Sequence, residues 1–156
     1  MPPKAGLATA SRFAASPSHA MSADPRRALS VLVDLPSASV QRGEAFPVKI
    51  RIVNTGAGHS VPTGSPYKVY VVETELLDVD GKSLLPPYQV RLERKIAEAP
   101  PWATVSDDRI PVGGEKDVET TFTVNQKKKA GRGILQVRLV DGPRRWVLQE
   151  IPLTVL

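Results

Sequence analysis

His19 and His59 are the only imidazoles in this chain of 156 residues, and there is no cysteine. Without a thiol there is no disulfide, zinc-thiolate site, cysteine nucleophile or blue-copper ligand set. Covalent haem attachment by this chain is excluded as well, because a c-type site needs Cys-x-x-Cys-His. His59 lies in Asn54-Thr55-Gly56-Ala57-Gly58-His59-Ser60-Val61-Pro62-Thr63-Gly64. Three glycines and a proline in so short a stretch shape a loop of special backbone geometry, which presents an imidazole instead of packing it. Val61 and Pro62 can shield one side from water, while Asn54 and Thr63 can hydrogen-bond the backbone or the ring. A neutral imidazole whose second nitrogen is fixed in this way makes a good axial ligand to iron. The same stretch also reads as a surface turn with an incidental histidine. His19, in Ser16-Pro17-Ser18-His19-Ala20-Met21, reads by itself as a solvated residue of a tail.

Other chemistry finds little support. Ser60 beside His59 has no identifiable orienting acid or oxyanion loop, so a nucleophile–base pair is not assembled. Asp78-Val79-Asp80-Gly81 lacks the spaced acidic ladder and terminal Glu of a calcium loop and reads as a plain turn. Trp102, behind two prolines, and Trp146 read as core or interface packing. The formal charge of +5 could serve an acidic partner, nucleic acid or anionic lipid. The cations are scattered apart from Lys127-Lys128-Lys129, and only 5% of residues are aromatic, too few for a base-stacking platform. Nucleic-acid binding is therefore not expected, and the lysine run reads as a solvated turn.

The elements that must hold this loop are strands. Fifteen prolines and eleven glycines punctuate the chain at short intervals, and helical periodicity is nowhere sustained. Leu29, Val31, Val33 and Leu35 alternate with Ser30, Leu32 and Asp34; Phe46, Val48, Ile50 and Ile52 alternate with Lys49 and Arg51. Further strands are expected over Tyr67–Leu77, Tyr88–Leu92, Asp117–Val124, Leu135–Leu139 and Trp146–Leu153, with Pro152 marking an edge. Glu93 to Asp108, which contains Ala-Pro-Pro-Trp, reads as a long loop with room for one helical turn. Seven or eight short strands with frequent turns predict an all-β fold, a two-sheet antiparallel sandwich of immunoglobulin or fibronectin-III type. The sandwich is expected over 27–156, after a flexible segment over 1–26. There is no internal repeat and no apolar run long enough to span a bilayer. Met1 to Met21 lacks a continuous apolar stretch and does not read as an intact secretory signal.

Asn-x-Gly-Ala-Gly-His-x-x-Pro-Thr-Gly after a Val/Ile strand resembles a motif in the C-terminal region of certain multihaem c-type cytochromes, where a β-sandwich follows the haem-bearing part. The match comprises Asn54, Gly56, Ala57, Gly58, His59, Pro62, Thr63 and Gly64. The stretch from His19 to Leu29 resembles the segment leading into that sandwich. Asp108-Arg109-Ile110-Pro111-Val112-Gly113-Gly114-Glu115 resembles a turn before a later strand of the family, with one extra residue here. The resemblance implies that His59, and with it His19, are distal axial ligands to the iron of a haem c held elsewhere. The partner is then a multihaem cytochrome, or a haem-bearing part upstream of which this chain is the tail end. It also implies a periplasmic or extracellular location. The family's Cys-x-x-Cys-His motifs are absent, so the chain resembles the sandwich without its haem-bearing part. The expected function is non-catalytic support of electron transfer by a docking surface and axial ligand. The alternative is an immunoglobulin-like adhesion or protein-interaction module without metal.

Overall fold

Strict alternation of apolar and polar residues gives each strand one face to bury, and two sheets can bury those faces against each other. The computed structural model, which describes residues 24–65 and 67–156, shows that arrangement. A 3-10 turn at Pro25–Arg27 leads into β1 (Leu29–Asp34), β2 (Ser39–Val40) and β3 (Ala45–Asn54). There follow β4 (Tyr70–Asp78), β5 (Tyr88–Leu92), β6 (Arg94–Ile96), β7 (Thr104–Asp107), β8 (Glu115–Thr123), β9 (Gly131–Asp141) and β10 (Arg144–Val155). One sheet has the order β1-β3-β8 and the other β2-β10-β9-β4-β5. All pairs within these sheets are antiparallel except β2 with β10, which is parallel. The expected immunoglobulin-like sandwich is therefore present, with one parallel pair as a departure from a purely antiparallel one.

The inward residues are those that the alternation nominates. Val48, Ile50 and Ile52 of β3 and Leu135, Val137 and Leu139 of β9 belong to one core and are essentially inaccessible to solvent. Phe46 and Phe122, paired across β3 and β8, close one end of the core with ring centroids 5.7 Å apart. Asp78 ends β4 as expected of a plain turn, its Oδ1 accepting hydrogen bonds from the amides of Asp80 and Lys82. Lys127, Lys128 and Lys129 are exposed in the turn between β8 and β9.

Three expectations need correction. The segment 93–108 is not a loop with a helical turn: β6 and β7 pair into a separate two-stranded ribbon. Of the core or interface packing expected of Trp102, the core half is excluded, since it is exposed on the loop joining those two strands, whereas Trp146 is half-buried. Pro152 does not lie on an outermost strand, because β2 lies outside β10; yet β2 covers only Thr154 and Val155, which leaves the outer side of β10 uncovered at Pro152. The 3-10 turn straddles the expected boundary at residue 26, with Pro25 buried. Of the flexible segment expected over 1–26, residues 1–23, with His19 among them, lie outside the described residues.

The outer face of the five-stranded sheet holds a compact charge ladder. Glu73 accepts from Gln89 Nε2 at 2.8 Å and from Arg138 at 2.5 Å, and Arg138 also bridges to Glu75. Burial pushes the Glu73 carboxyl up, but the bonds from Gln89 and Arg138 and the charges of Arg138 and Arg145 outweigh it, so the net displacement is downward. A carboxyl depressed in the folded state adds stability above its unfolded pKa, near 4.5, and loses it as pH falls through the folded value. Urea titrations at pH 7 and pH 3 should therefore show a smaller acid-induced loss in Glu73→Gln than in the unchanged chain.

Candidate functional site

Strand β3 ends at Asn54, and this one side chain organises the loop that follows. Asn54 is 1% exposed. Its Nδ2 donates to the carbonyls of His59, at 2.8 Å, and Ile110, at 3.1 Å, while its Oδ1 accepts from the Ala57 amide at 3.2 Å. An amide is the one neutral group that can donate twice and accept on so short a stem. The loop is thereby tied at its start, its middle and to a second segment 56 residues away.

The other ties are backbone. The amides of Thr55 and Gly56 both donate to the Ala28 carbonyl, at 3.0 and 3.2 Å, so the chain entering β1 forms a floor under the loop. A Cβ at Gly56 would lie 1.8 Å from the Arg27 carbonyl oxygen, which is why no side chain fits there. Val61 and Ile110 form an isolated antiparallel bridge with both amides bonded, at 2.9 and 3.0 Å. Val61, Pro62 and Ile110 are buried, and the Val61–Pro62 peptide is cis. Gly64 has φ +100°, a backbone conformation that an L residue adopts only under strain.

His59 is half-buried in this frame. Its Nδ1 lies 3.2 Å from the Ser60 carbonyl oxygen. A carbonyl can only accept, so the contact favours the tautomer with the proton on Nδ1 and the lone pair on Nε2. One partner of the ring is thus a backbone carbonyl; Asn54 bonds the loop backbone instead, and Thr63 is exposed. Gly58 is exposed beside the histidine. Among the described residues there is no group of three or more His, Cys, Asp or Glu that could hold a metal ion.

The structure joins two segments that are far apart in sequence. The 108–115 turn meets the His59 loop through the Val61–Ile110 bridge, the Asn54–Ile110 hydrogen bond and a 3.0 Å bond from the Asn54 amide to the Gly114 carbonyl. Sequence reasoning missed the cations drawn in with them. Lys68, Arg94 and Arg109 all border the turn at 62–65. Lys68 pairs with Asp141 at 2.6 Å and Arg109 with Asp107 at 2.6 Å. The Arg109 bond holds the Asp107 carboxyl below the usual carboxylate range. The fragment Asp-x-Arg in the 107–109 stretch was the one available sign of such a pair.

No protein-family model matches the chain, and no curated protein matches it. Solved structures share the architecture at low identity. The CARDB domain of a Pyrococcus furiosus protein, solved in complex with di-metal ions, is 13% identical over 82% of this chain and 87% of that one, with a TM-score of 0.48. An alkylpurine DNA glycosylase from Pseudomonas fluorescens, bound to DNA with an abasic site analog, is 11% identical with a TM-score of 0.45, and a β-glucosidase from Listeria innocua is 15% identical with a TM-score of 0.45. The likeness spans 82% of this chain in both cases, but only 30% of the glycosylase and 16% of the glucosidase. At such identities the likeness concerns the fold alone. The chain is an immunoglobulin-like β-sandwich module, and among the described residues no helix is long and apolar enough to cross a membrane.

Proposed function

We propose that this chain is a non-catalytic docking module that offers His59 as a distal axial ligand to the iron of a haem c carried elsewhere. The observation that carries the reading is the His59 contact with the Ser60 carbonyl, within a loop that Asn54 and Gly56 hold in place. A hydrogen bond at Nδ1 orients the ring and raises the basicity of Nε2, the arrangement that tunes metal-ligating histidines generally. A second histidine on an iron completes six-coordination, keeps out exogenous ligands and sets the reduction potential through that same bond. The iron and its porphyrin would supply the redox chemistry. This chain would supply the ligand, its tautomer and the surface around it.

The partner is then a multihaem cytochrome or a haem-bearing segment of the same polypeptide, and the place of action is outside the cytoplasmic membrane. That assignment rests on the cytochrome resemblance of the loop and of the 108–115 turn, which form one surface here. His19 belongs to the same proposal on resemblance alone.

The test uses a haem c peptide with one bound histidine and an open distal position. Added to the full chain, it should turn low-spin with a bis-histidine spectrum; His59→Ala should leave it high-spin, and His19→Ala should reveal any share of the second histidine. A peptide that stays high-spin with the unchanged chain, or converts equally with His59→Ala, overturns the ligand role.

A second reading keeps the surface and removes the metal. Tyr67, Trp102, Val105 and Val112 are exposed apolar side chains suited to a protein partner. Binding of a cytochrome without any change of spin state would favour this metal-free module.

A further inference from the structure

The end of the sandwich opposite His59 gathers the turns at 78–82 and 125–130 around the start of β9. The register sets them side by side: Gly133 of β9 pairs with Asp78 of β4, while Gly131 and Arg132 pair with Val155 and Thr154 of β10. Lys82, Lys127, Lys128, Lys129 and Arg132 are all exposed here, and Arg42 is half-buried beside them. Among the described residues none of these six cations forms an ion pair. The carboxylates of this end are Glu44, Asp78 and Asp80, and Asp78 is taken up by amides of its own turn. Over the remaining described residues cations and carboxylates are equal in number, so the surplus of positive charge resides at this end. The lysine turn is also held in shape. Asn125 accepts the Lys127 amide at Oδ1, 2.8 Å away, and the Lys128 amide at its carbonyl, 2.9 Å away. Arg42 donates from Nη1 to the Lys128 carbonyl at 2.9 Å and from Nε to the Leu156 carbonyl at 2.8 Å. The fold thus fastens a turn of three lysines with a further cation. Like charges held so close repel one another, and an extended anionic surface would relieve that repulsion.

We propose that this end is a docking surface for a bilayer that contains anionic phospholipid. Four of the five exposed cations are lysines, whose compact ammonium on a flexible stem suits a field of phosphates better than one shaped anion. Val79, at the tip of the neighbouring turn, is 71% exposed. An apolar side chain among lysines at a turn tip can enter the headgroup region, a contact that a soluble polyanion does not offer. Bound in this way, the sandwich stands with its histidine end turned away from the lipid. The surface does not involve the His59 loop, so it stands or falls separately from the ligand role.

The experiment sediments the full chain with vesicles of phosphatidylcholine containing about one-third phosphatidylglycerol, and with vesicles of phosphatidylcholine alone. Binding to the mixed vesicles only, with release as sodium chloride is raised to about 0.5 M, is the expected result. Joint substitution of Lys127→Gln, Lys128→Gln and Lys129→Gln should weaken binding roughly a hundredfold. Removal of as many charges at Lys95→Gln, Arg144→Gln and Arg145→Gln, on β6 and the β9–β10 hairpin, should leave it within about threefold. Melting curves matching that of the unchanged chain are expected for both variants, since every substituted side chain is exposed. Val79→Ser should cost about threefold on the mixed vesicles and nothing on soluble polyglutamate. Equal binding to the two kinds of vesicle, or equal loss in the two triple variants, overturns the surface. Polyglutamate binding as tight as vesicle binding, with Val79→Ser silent in both, overturns the lipid and assigns the surface to an acidic protein.

Discussion

Gly56→Ala is expected to destabilise the domain by roughly 3 kcal/mol, a fall of about 6–12 °C in melting temperature for a chain of this size. The added methyl would lie 1.8 Å from the Arg27 carbonyl oxygen, less than any real contact between a Cβ and an oxygen. A flexible side chain could swing away from such a clash, but a carbonyl in the floor of the loop cannot. Either the loop lifts, breaking the bonds from Thr55 and Gly56 to Ala28, or the entry to β1 is displaced. Calorimetry measures the loss; under the proposed ligand role the haem peptide should also lose its low-spin signal, since a lifted loop displaces His59. A variant that melts within about 1 °C of the unchanged chain would show that the floor yields without cost.

Asn54→Ala should cost about 2–4 kcal/mol, for a different reason. It leaves the His59 carbonyl, the Ile110 carbonyl and the Ala57 amide without their side-chain partner, in a place where Asn54 itself is almost wholly enclosed. Asn54→Asp separates hydrogen-bond loss from cavity formation. It preserves the volume and the acceptor facing Ala57, but turns an anionic oxygen toward two carbonyls, so its cost should equal or exceed that of alanine. Urea denaturation of both variants measures these differences. If Asn54→Asp were neutral, the two donated bonds would not be holding the loop.

The strands were legible in the sequence wherever one face is buried. β1, β3, β8 and β9 show clean alternation because a sandwich strand meets the core on one side and water on the other. The β6–β7 ribbon was not, and the reason is physical. Arg94, Lys95 and Ile96 pair with Thr104–Asp107 away from the main core, so no buried face imprints a period on them. β2 was invisible because two residues carry no pattern. In the site, Asn54, Gly56 and His59 could be singled out by residue type, since few residues donate twice, tolerate a 1.8 Å approach or ligate iron. Arg94 could not. Nothing in the sequence sets one cation among 21 Lys and Arg against residues 62–65, some thirty positions away; only the fold does.

The entry to the sandwich gives the molecule a polarity. Chain arriving at Asp24 reaches the fold directly beneath the His59 loop, where Arg27 and Ala28 form the floor. The last residue, Leu156, is bonded to Val40 and Arg42 at the far end of β3, roughly 30 Å away along a ten-residue strand. The sandwich is thus entered at its histidine end and left at the opposite one. For handling the protein this makes the carboxyl terminus the place for an affinity tag or a surface anchor. Under the proposed ligand role, the candidate iron ligand sits on the side of the sandwich where the described chain comes in.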